Sequence, residues 1–336
     1  MSKPIVRRIQ LTGGSTYIIS LPKGWVKQHS LKPGDEVEIA EDRQMRLILS
    51  PRAGNDTDKK ERSITMNCEG ADISFLVREI IAYYMAGYSL VDVYCNKFNT
   101  MEKEKIKELV RNRLLGAEVI DESSNNISIQ FLVNEKDLSI TKSLGRAFNI
   151  SYNMFRDALN GLQKGDKELS KEIRNRDDDV DRFFFYTIRQ LSLSVEYPDI
   201  LDEEKFNLTQ LTDISSIAKS IERVSDHAIR IAEQTQSIER LNNETVYNHG
   251  MSVIELYKTS FSAFSNRDRK RAHDVINKGF ETLDTNSKLS ENVIMNFHSL
   301  KDDSSTLIVL DSIRRVTRYS MDIAEATIDL LAKQTE

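Results

Sequence analysis

The stretch Ser220-Ile-Glu-Arg-Val-Ser-Asp-His-Ala-Ile-Arg-Ile-Ala-Glu-Gln-Thr235 recurs without a gap as Ser312-Ile-Arg-Arg-Val-Thr-Arg-Tyr-Ser-Met-Asp-Ile-Ala-Glu-Ala-Thr327, 92 residues further on. Eight of the sixteen positions are identical, more than shared amphipathic patterning easily explains. Internal repeats fix architecture and are weighed before motifs. Each copy falls in the third of three long helical stretches. The first set is Ser143–Leu162, Asp166–Ser194 and Leu208–Arg240; the second is Asn243–Ser265, Asp268–Phe297 and Asp302–Lys333. Short connections between long helices imply antiparallel neighbours. The C-terminal half is therefore expected to be all-α, a tandem duplication of a three-helix bundle, with one bundle over 139–241 and the other over 242–336.

The first copy carries carboxylates where a plain bundle has no use for them. Leu211, Ile214, Ala218, Ile221, Ser225, Ala228, Ala232 and Thr235 step by three and four, which is a packing seam. Glu222 and Asp226 each follow a seam position and share one helix face. Like charges four apart repel by about 0.2–0.5 kcal/mol in an isolated helix. The preceding helix has a seam of Leu169, Ile173, Asp177, Val180, Phe184, Ile188 and Leu191, so Asp177 takes a core position and Asp181 follows four residues later. A buried carboxylate needs a partner. Two such pairs on adjacent helices converge on one spot, and a cation is the simplest neutraliser. An all-oxygen site favours Mg, Mn, Ca or iron over thiolate-loving metals. A plainer reading stands beside this one. Asp226 pairs with Arg230, Glu222 with a neighbouring base, and Asp177 and Asp181 form a solvated acidic turn. His227 reads as an ordinary bundle histidine. In the second copy Glu222 becomes Arg314 and Asp226 becomes Arg318. With Gly279 or Phe280 in place of Asp177 and Asp284 in place of Asp181, that site is expected to be closed by an internal ion pair instead of a metal.

Upstream the chain changes character. Net charge is −5 overall, yet residues 1–34 hold Lys3, Arg7, Arg8, Lys23, Lys27 and Lys32 and no acid. A basic head on an acidic body suggests that the head meets an anion. Residues 1–52 read as short strands around the turn Thr12-Gly13-Gly14-Ser15, a short helix from Pro22 to Gln28, and strands from Val37 and from Met45 to Leu49. So small a unit buries little apolar surface alone, and oligomerisation is one remedy. Residues 53–61 read as a linker. Residues 62–138 alternate in the order βαβαββ, with Thr100 as a helix cap, and suggest a small α/β domain without a catalytic constellation. No apolar run approaches the roughly 20 residues a membrane helix needs, and the N-terminus lacks a secretory core. Cys68 and Cys95 read as small hydrophobes of a reduced cytoplasmic protein.

Two resemblances follow from these residues. Ile221-Glu-Arg-Val-Ser-Asp-His-Ala-Ile-Arg-Ile-Ala-Glu233, with Arg176-Asp-Asp-Asp-Val-Asp181 before it, resembles the PhoU family of phosphate-uptake regulators, over about Leu138 to the C-terminus. That resemblance implies twin three-helix bundles with metal clusters, and carries Asp177, Asp181, Glu222 and Asp226 over as ligands. The ion it implies is divalent or trivalent: iron, Mg, Mn or Zn. It implies no enzyme. It implies a negative regulator of phosphate uptake and homeostasis, an adaptor on the phosphate ABC transporter in the cytoplasm. Gly13-Gly14-Ser15-Thr16-Tyr17-Ile18-Ile19-Ser20-Leu21-Pro22-Lys23-Gly24-Trp25-Val26, followed by Leu31-Lys-Pro-Gly-Asp-Glu-Val-Glu-Ile39, resembles the AbrB/SpoVT/MazE-type swapped-hairpin domain. That resemblance implies a homodimer, and DNA binding through Arg7, Arg8, Lys23 and Lys27. The competing reading is thus a DNA-binding transcription regulator of phosphate genes with a helical sensor half. The middle segment is expected to be ferredoxin-like.

Overall fold

The computed structural model describes residues 5–41, 45–51, 62–68, 70–96, 98–133, 137–201, 204–241 and 243–334. The chain divides into two units, Met1–Glu61 and Arg62–Glu336. Lys3 and the 53–61 linker lie outside the described residues.

The described residues of the first unit form two hairpins and one helix. β1 (Gln10–Thr12) pairs antiparallel with β2 (Thr16–Ile18). The turn between them needs the left-handed backbone of Gly13 (φ 64°) and Gly14 (φ 82°), a conformation that glycine adopts without steric cost. α1 (Lys23–Gln28) follows Pro22, and β3 (Val37–Glu41) pairs antiparallel with β4 (Leu47–Pro51). β1 begins only at Gln10, although the apolar and β-branched run Ile5-Val6 lies before it. No described side chain of this unit is buried. Ile9, Leu11, Ile39 and Leu47 are all more exposed than covered.

The second unit begins with an α/β layer: β5 (Ser63–Asn67), α2 (Ile73–Met85), β6 (Leu90–Tyr94), α3 (Thr100–Arg113), β7 (Ala117–Glu122) and β8 (Asn126–Phe131). The sheet runs β5-β6-β8-β7, with β5 parallel to β6 and the other neighbours antiparallel. A ferredoxin-like domain has the order β-α-β-β-α-β. Here the second helix precedes the last hairpin, so the ferredoxin-like expectation is corrected. Alternation along β6 and β8 sends Val91, Val93, Ile127 and Ile129 onto Ile80, Tyr84 and Ile106 of the two helices. α3 is capped by Asn99, not Thr100. The Asn99 side chain accepts from the Met101 amide at 3.0 Å, and Glu102 accepts from the Asn99 amide at 3.0 Å, the reciprocal arrangement that satisfies two free helix-end donors.

The cysteine reading is also corrected. Cys68 and Cys95 are joined in a disulfide. The reason lies in register. Asn67 pairs with Tyr94 on the parallel strands, so the next residue of each strand stands side by side. A separation of 27 residues in sequence hides this.

The rest is helical: α4 (Ile140–Lys164), α5 (Lys167–Asn175), α6 (Asp177–Ser194), α7 (Leu211–Glu233), α8 (Glu244–Ser265), α9 (Arg269–Met295) and α10 (Leu300–Ala332). α4 ends at Gly165 (φ 71°), where the Asp166 amide reaches back to the Gly161 carbonyl at 2.8 Å. Asp166 then caps α5 through the Leu169 amide at 3.0 Å, and so one residue pair ends one helix and starts the next. α4, α6 and α7 pack on one another, as do α8, α9 and α10; α7 also lies against α10 and α4 against α8. The two copies of the repeat are therefore neighbours. Phe155 and Leu159 of α4, Ile221 and Val224 of α7, and Ile313 and Val316 of α10 share one core.

α6 joins the layers. Val180 and Leu191 lie in the helical core, and Phe185 lies in the core under the sheet. Arg189, only 3% exposed, donates to the Tyr84 and Tyr88 carbonyls, both at 2.8 Å, and stacks on Tyr84 and Phe131. Among the described residues, no helix is long and apolar enough to cross a membrane.

Candidate carboxylate site

The stretch 166–194 is broken. α5 stops at Asn175, and α6 restarts at Asp177 after Arg176, whose guanidinium bridges Asp157 of α4 at 2.7 Å and Glu172 of α5 at 2.5 Å. Asp177 therefore occupies the first turn of a helix, not the middle of a seam. Asp177, Asp178 and Asp179 all sit at that N-terminus, where unpaired amides and the helix dipole favour negative charge. Asp177 is half-buried, and Asp181 one turn on is 6% exposed.

α7 presents Glu222 and Asp226 to the same place. Burial, followed by the charges of Glu222 and Asp178, raises the Asp177 carboxyl above its ordinary range against the pull of Ser225 and Arg113. Asp181 is pushed up to about 6, first by burial and then by Asp177 and Glu222, with Arg113 opposing. Asp226, at the exposed rim, is also pushed up to about 6 by partial loss of water and by Glu222 and Asp177. Asp177, Asp181 and Asp226 thus each feel the charge of Glu222. Two of their oxygens, Asp177 Oδ1 and Glu222 Oε2, are buried without a hydrogen-bond partner, an arrangement that costs about 1–3 kcal/mol per neutral group and more for a charged one.

The cations around them are the part that sequence reasoning missed. Arg113, from the last turn of α3, pairs with Asp181, reaches Asp178 at 3.5 Å and covers the Phe185 ring at 5.4 Å. Arg182 donates to the Arg111 carbonyl. Lys219 holds Glu222 Oε1 at 2.6 Å. Nothing in the local spacing around Arg113 points to α6; only the docking of the α/β layer brings it there.

The plainer reading of the sequence is half right. Glu222 has its basic neighbour, but Arg230 pairs with Asp311 of α10 at 2.8 Å and not with Asp226. His227 packs against Tyr319 with ring centroids 5.8 Å apart, and burial pushes it down to about 4. In the second copy the expected ion pair is not formed. Arg314 binds Asp311 at 2.7 Å, one turn back on its own helix, and Asp284 binds Lys288 at 2.6 Å on the outer face of α9. Arg318 is exposed.

The donor chemistry at the first copy suits a hard cation: all oxygen, with two buried oxygens unsatisfied. The arrangement is nonetheless not a coordination shell. Among the described residues no three acidic, histidine or cysteine side chains stand close enough to hold one ion. In the first unit Arg7 and Arg8 precede β1, and Lys23 and Lys27 lie one turn apart on α1; all four are exposed.

The fold that holds these carboxylates is a helical bundle. Residues 144–235 match the PhoU domain and residues 10–56 match MazE, described as an antidote-toxin recognition bacterial antitoxin. The chain thus carries a PhoU domain over residues 144–235 and a MazE-type domain over residues 10–56. It is 24% identical over 214 residues to a protein of Clostridium acetobutylicum named phosphate-specific transport system accessory protein PhoU homolog, covering 59% of this chain and 93% of that one. The phosphate transport system regulatory protein PhoU of Streptococcus pneumoniae superposes with a TM-score of 0.50 at 19% identity, over 58% of this chain and 94% of that one. PhoU of Pseudomonas aeruginosa does so with a TM-score of 0.50 at 17% identity, over 58% and 96%. These structures share the helical fold.

Proposed function

We propose that this protein is a non-enzymatic cytoplasmic regulator that restrains phosphate uptake as a metal-binding adaptor on a phosphate ABC transport system. The observation that carries the reading is the convergence of Asp177, Asp181, Glu222 and Asp226 inside the PhoU-matching segment, with two carboxylate oxygens buried and unpaired. Those four residues would hold a divalent or trivalent cation such as iron, Mg, Mn or Zn, which would supply charge neutralisation and cross-link α6 to α7. The relative named for phosphate-specific transport supports the choice of partner. In this reading the helices form two duplicated three-helix units of which only the first keeps the site. The head dimerises the chain, because its exposed Ile9, Leu11, Ile39 and Leu47 have no core of their own to enter.

A cross-linked pull-down of tagged protein from phosphate-replete cells, recovering protein and DNA together, tests this. Enrichment of a phosphate-transporter subunit is the expected result. Enrichment of phosphate-gene promoters without the transporter would sink the adaptor reading. It would favour the second one, a transcription regulator whose MazE-type head contacts DNA phosphates through Arg7, Arg8, Lys23 and Lys27. An Arg7→Ala/Arg8→Ala variant that still dimerises but loses DNA would assign those two residues to the nucleic acid.

A further inference from the structure

The carboxylate site already has a cation in it, and that cation belongs to another layer of the protein. Arg113 comes from α3, yet its partners are Asp181 and Asp178 of α6. Its side chain is 32% exposed while that of Asp181 is 9% exposed. The charge at the site is not balanced by it: Asp177, Asp178, Asp181, Glu222 and Asp226 gather against Arg113, Lys219 and Arg223. Asp177 Oδ1 and Glu222 Oε2 remain without partners beside it.

The end of α3 is held by these side chains more than by its own cap. Leu114, the residue that closes the helix, is extended and donates no capping bond, whereas the Arg111 carbonyl is taken by Arg182 of α6. One flank of this turn is open. A cleft of about 540 Å³ runs beside it, lined by Arg111, Leu114, Leu115, Glu118 and Arg182 among others. The last turn of α3 therefore meets acids of α6 on one side and borders the cleft on another, while Val110 and Leu114 stay buried in the core under the sheet.

We propose that Arg113 is the resident counter-ion of the carboxylate site, and that a metal ion and the Arg113 ion pairs exclude one another, so that loading the site releases the last turn of α3 from α6. This rests on the metal-binding reading above, and it explains why the acids converge without forming a coordination shell in this arrangement. A guanidinium and a divalent cation compete for the same oxygens. Arg113 holds Oδ2 of Asp181, so a metal shared with Asp177 and Glu222 either takes that oxygen or stands beside a guanidinium of like charge. Arg189, bonded to the Tyr84 and Tyr88 carbonyls at the far end of α6, keeps the α/β layer attached while the α3 end lifts.

The test is Mn²⁺ titration of the full-length protein and its Arg113→Met variant by calorimetry, with hydrogen exchange across residues 108–116 followed with and without Mn²⁺. Removing one positive charge from beside the site is expected to tighten Mn²⁺ binding roughly tenfold or more. In the unmodified protein, Mn²⁺ is expected to speed exchange in the last turn of α3. Arg113→Lys gives a second measurement should the Met variant fold poorly. A lysine keeps the charge but lacks the fork that reaches Asp181 and Asp178 together, so its affinity is expected between the two. Equal affinities with unchanged exchange would overturn the competition and leave the metal site standing. Absence of Mn²⁺ binding by every form would overturn the metal reading and the competition with it.

Discussion

At the scale of single residues, the site is a set of acids held above their ordinary titration range. Asp226 offers the cleanest probe because it sits at the rim and makes no ion pair with Arg230. Its folded pKa of about 6 lies above the ordinary 3.8. A carboxyl raised on folding adds stability while both states are protonated, and that contribution is lost as pH rises through the folded pKa. Stability from this group therefore falls between about pH 4 and pH 6. Asp226→Asn, which mimics the protonated form, is expected to melt higher than the unmodified protein at pH 7 in the presence of a chelator, and equally at pH 4. The gain, discounted for the solvent around an exposed group, is about 1 kcal/mol or less. A variant that melts lower at pH 7 would show that the neighbouring acids do not press on Asp226. The Glu222 and Asp226 pair was legible in the sequence, because the repeat and the i, i+4 spacing marked it. Arg113 was not, since its role depends on where a separate layer docks.

At the scale of elements, the long helices were legible from their caps and periodicity. Their interruption at Arg176 was not, for the run through it contains no glycine or proline. The interruption is slight: Arg176 keeps a right-handed backbone (φ −75°, ψ −11°) and pairs with Asp157 and Glu172, and three aspartates follow in the first turn of α6. The same blindness applies to the cysteines, whose meeting depends on strand register. Close crossings of helices are likewise invisible until packed. α8 passes α4 at Gly250, where a Cβ would stand 2.7 Å from Leu159 Cδ1 and 3.2 Å from Ile313 Cδ1. Gly250→Val is expected to push α8 off both α4 and α10 and to cost about 1–3 kcal/mol, read as a lower urea midpoint with an unchanged slope. A midpoint equal to that of the unmodified protein would mean that the crossing has slack.

At the scale of the whole molecule, the two units differ in how they can be stable. The helical unit has a core of its own, while the head has none among its described residues. If the head is stabilised by a second copy, mass action makes its melting depend on protein concentration. A tenfold dilution is expected to lower the melting of the head, followed through Trp25, the chain's one tryptophan, and to leave the helical transition in place. Concentration-independent melting of both would remove the dimer from the account.

α6 has one face in each of two cores, with Val180 and Leu191 on one side and Phe185 and Arg189 on the other. A helix seated in this way cannot rotate about its own axis by small amounts. Turning Asp177 and Asp181 even part of a turn would swing Phe185 and Arg189 out of close-packed surroundings, and such interiors repack in steps instead of deforming smoothly. Any rotation of α6 itself is thereby made all-or-none, and its amides should exchange with solvent only when the sheet and the helices come apart together.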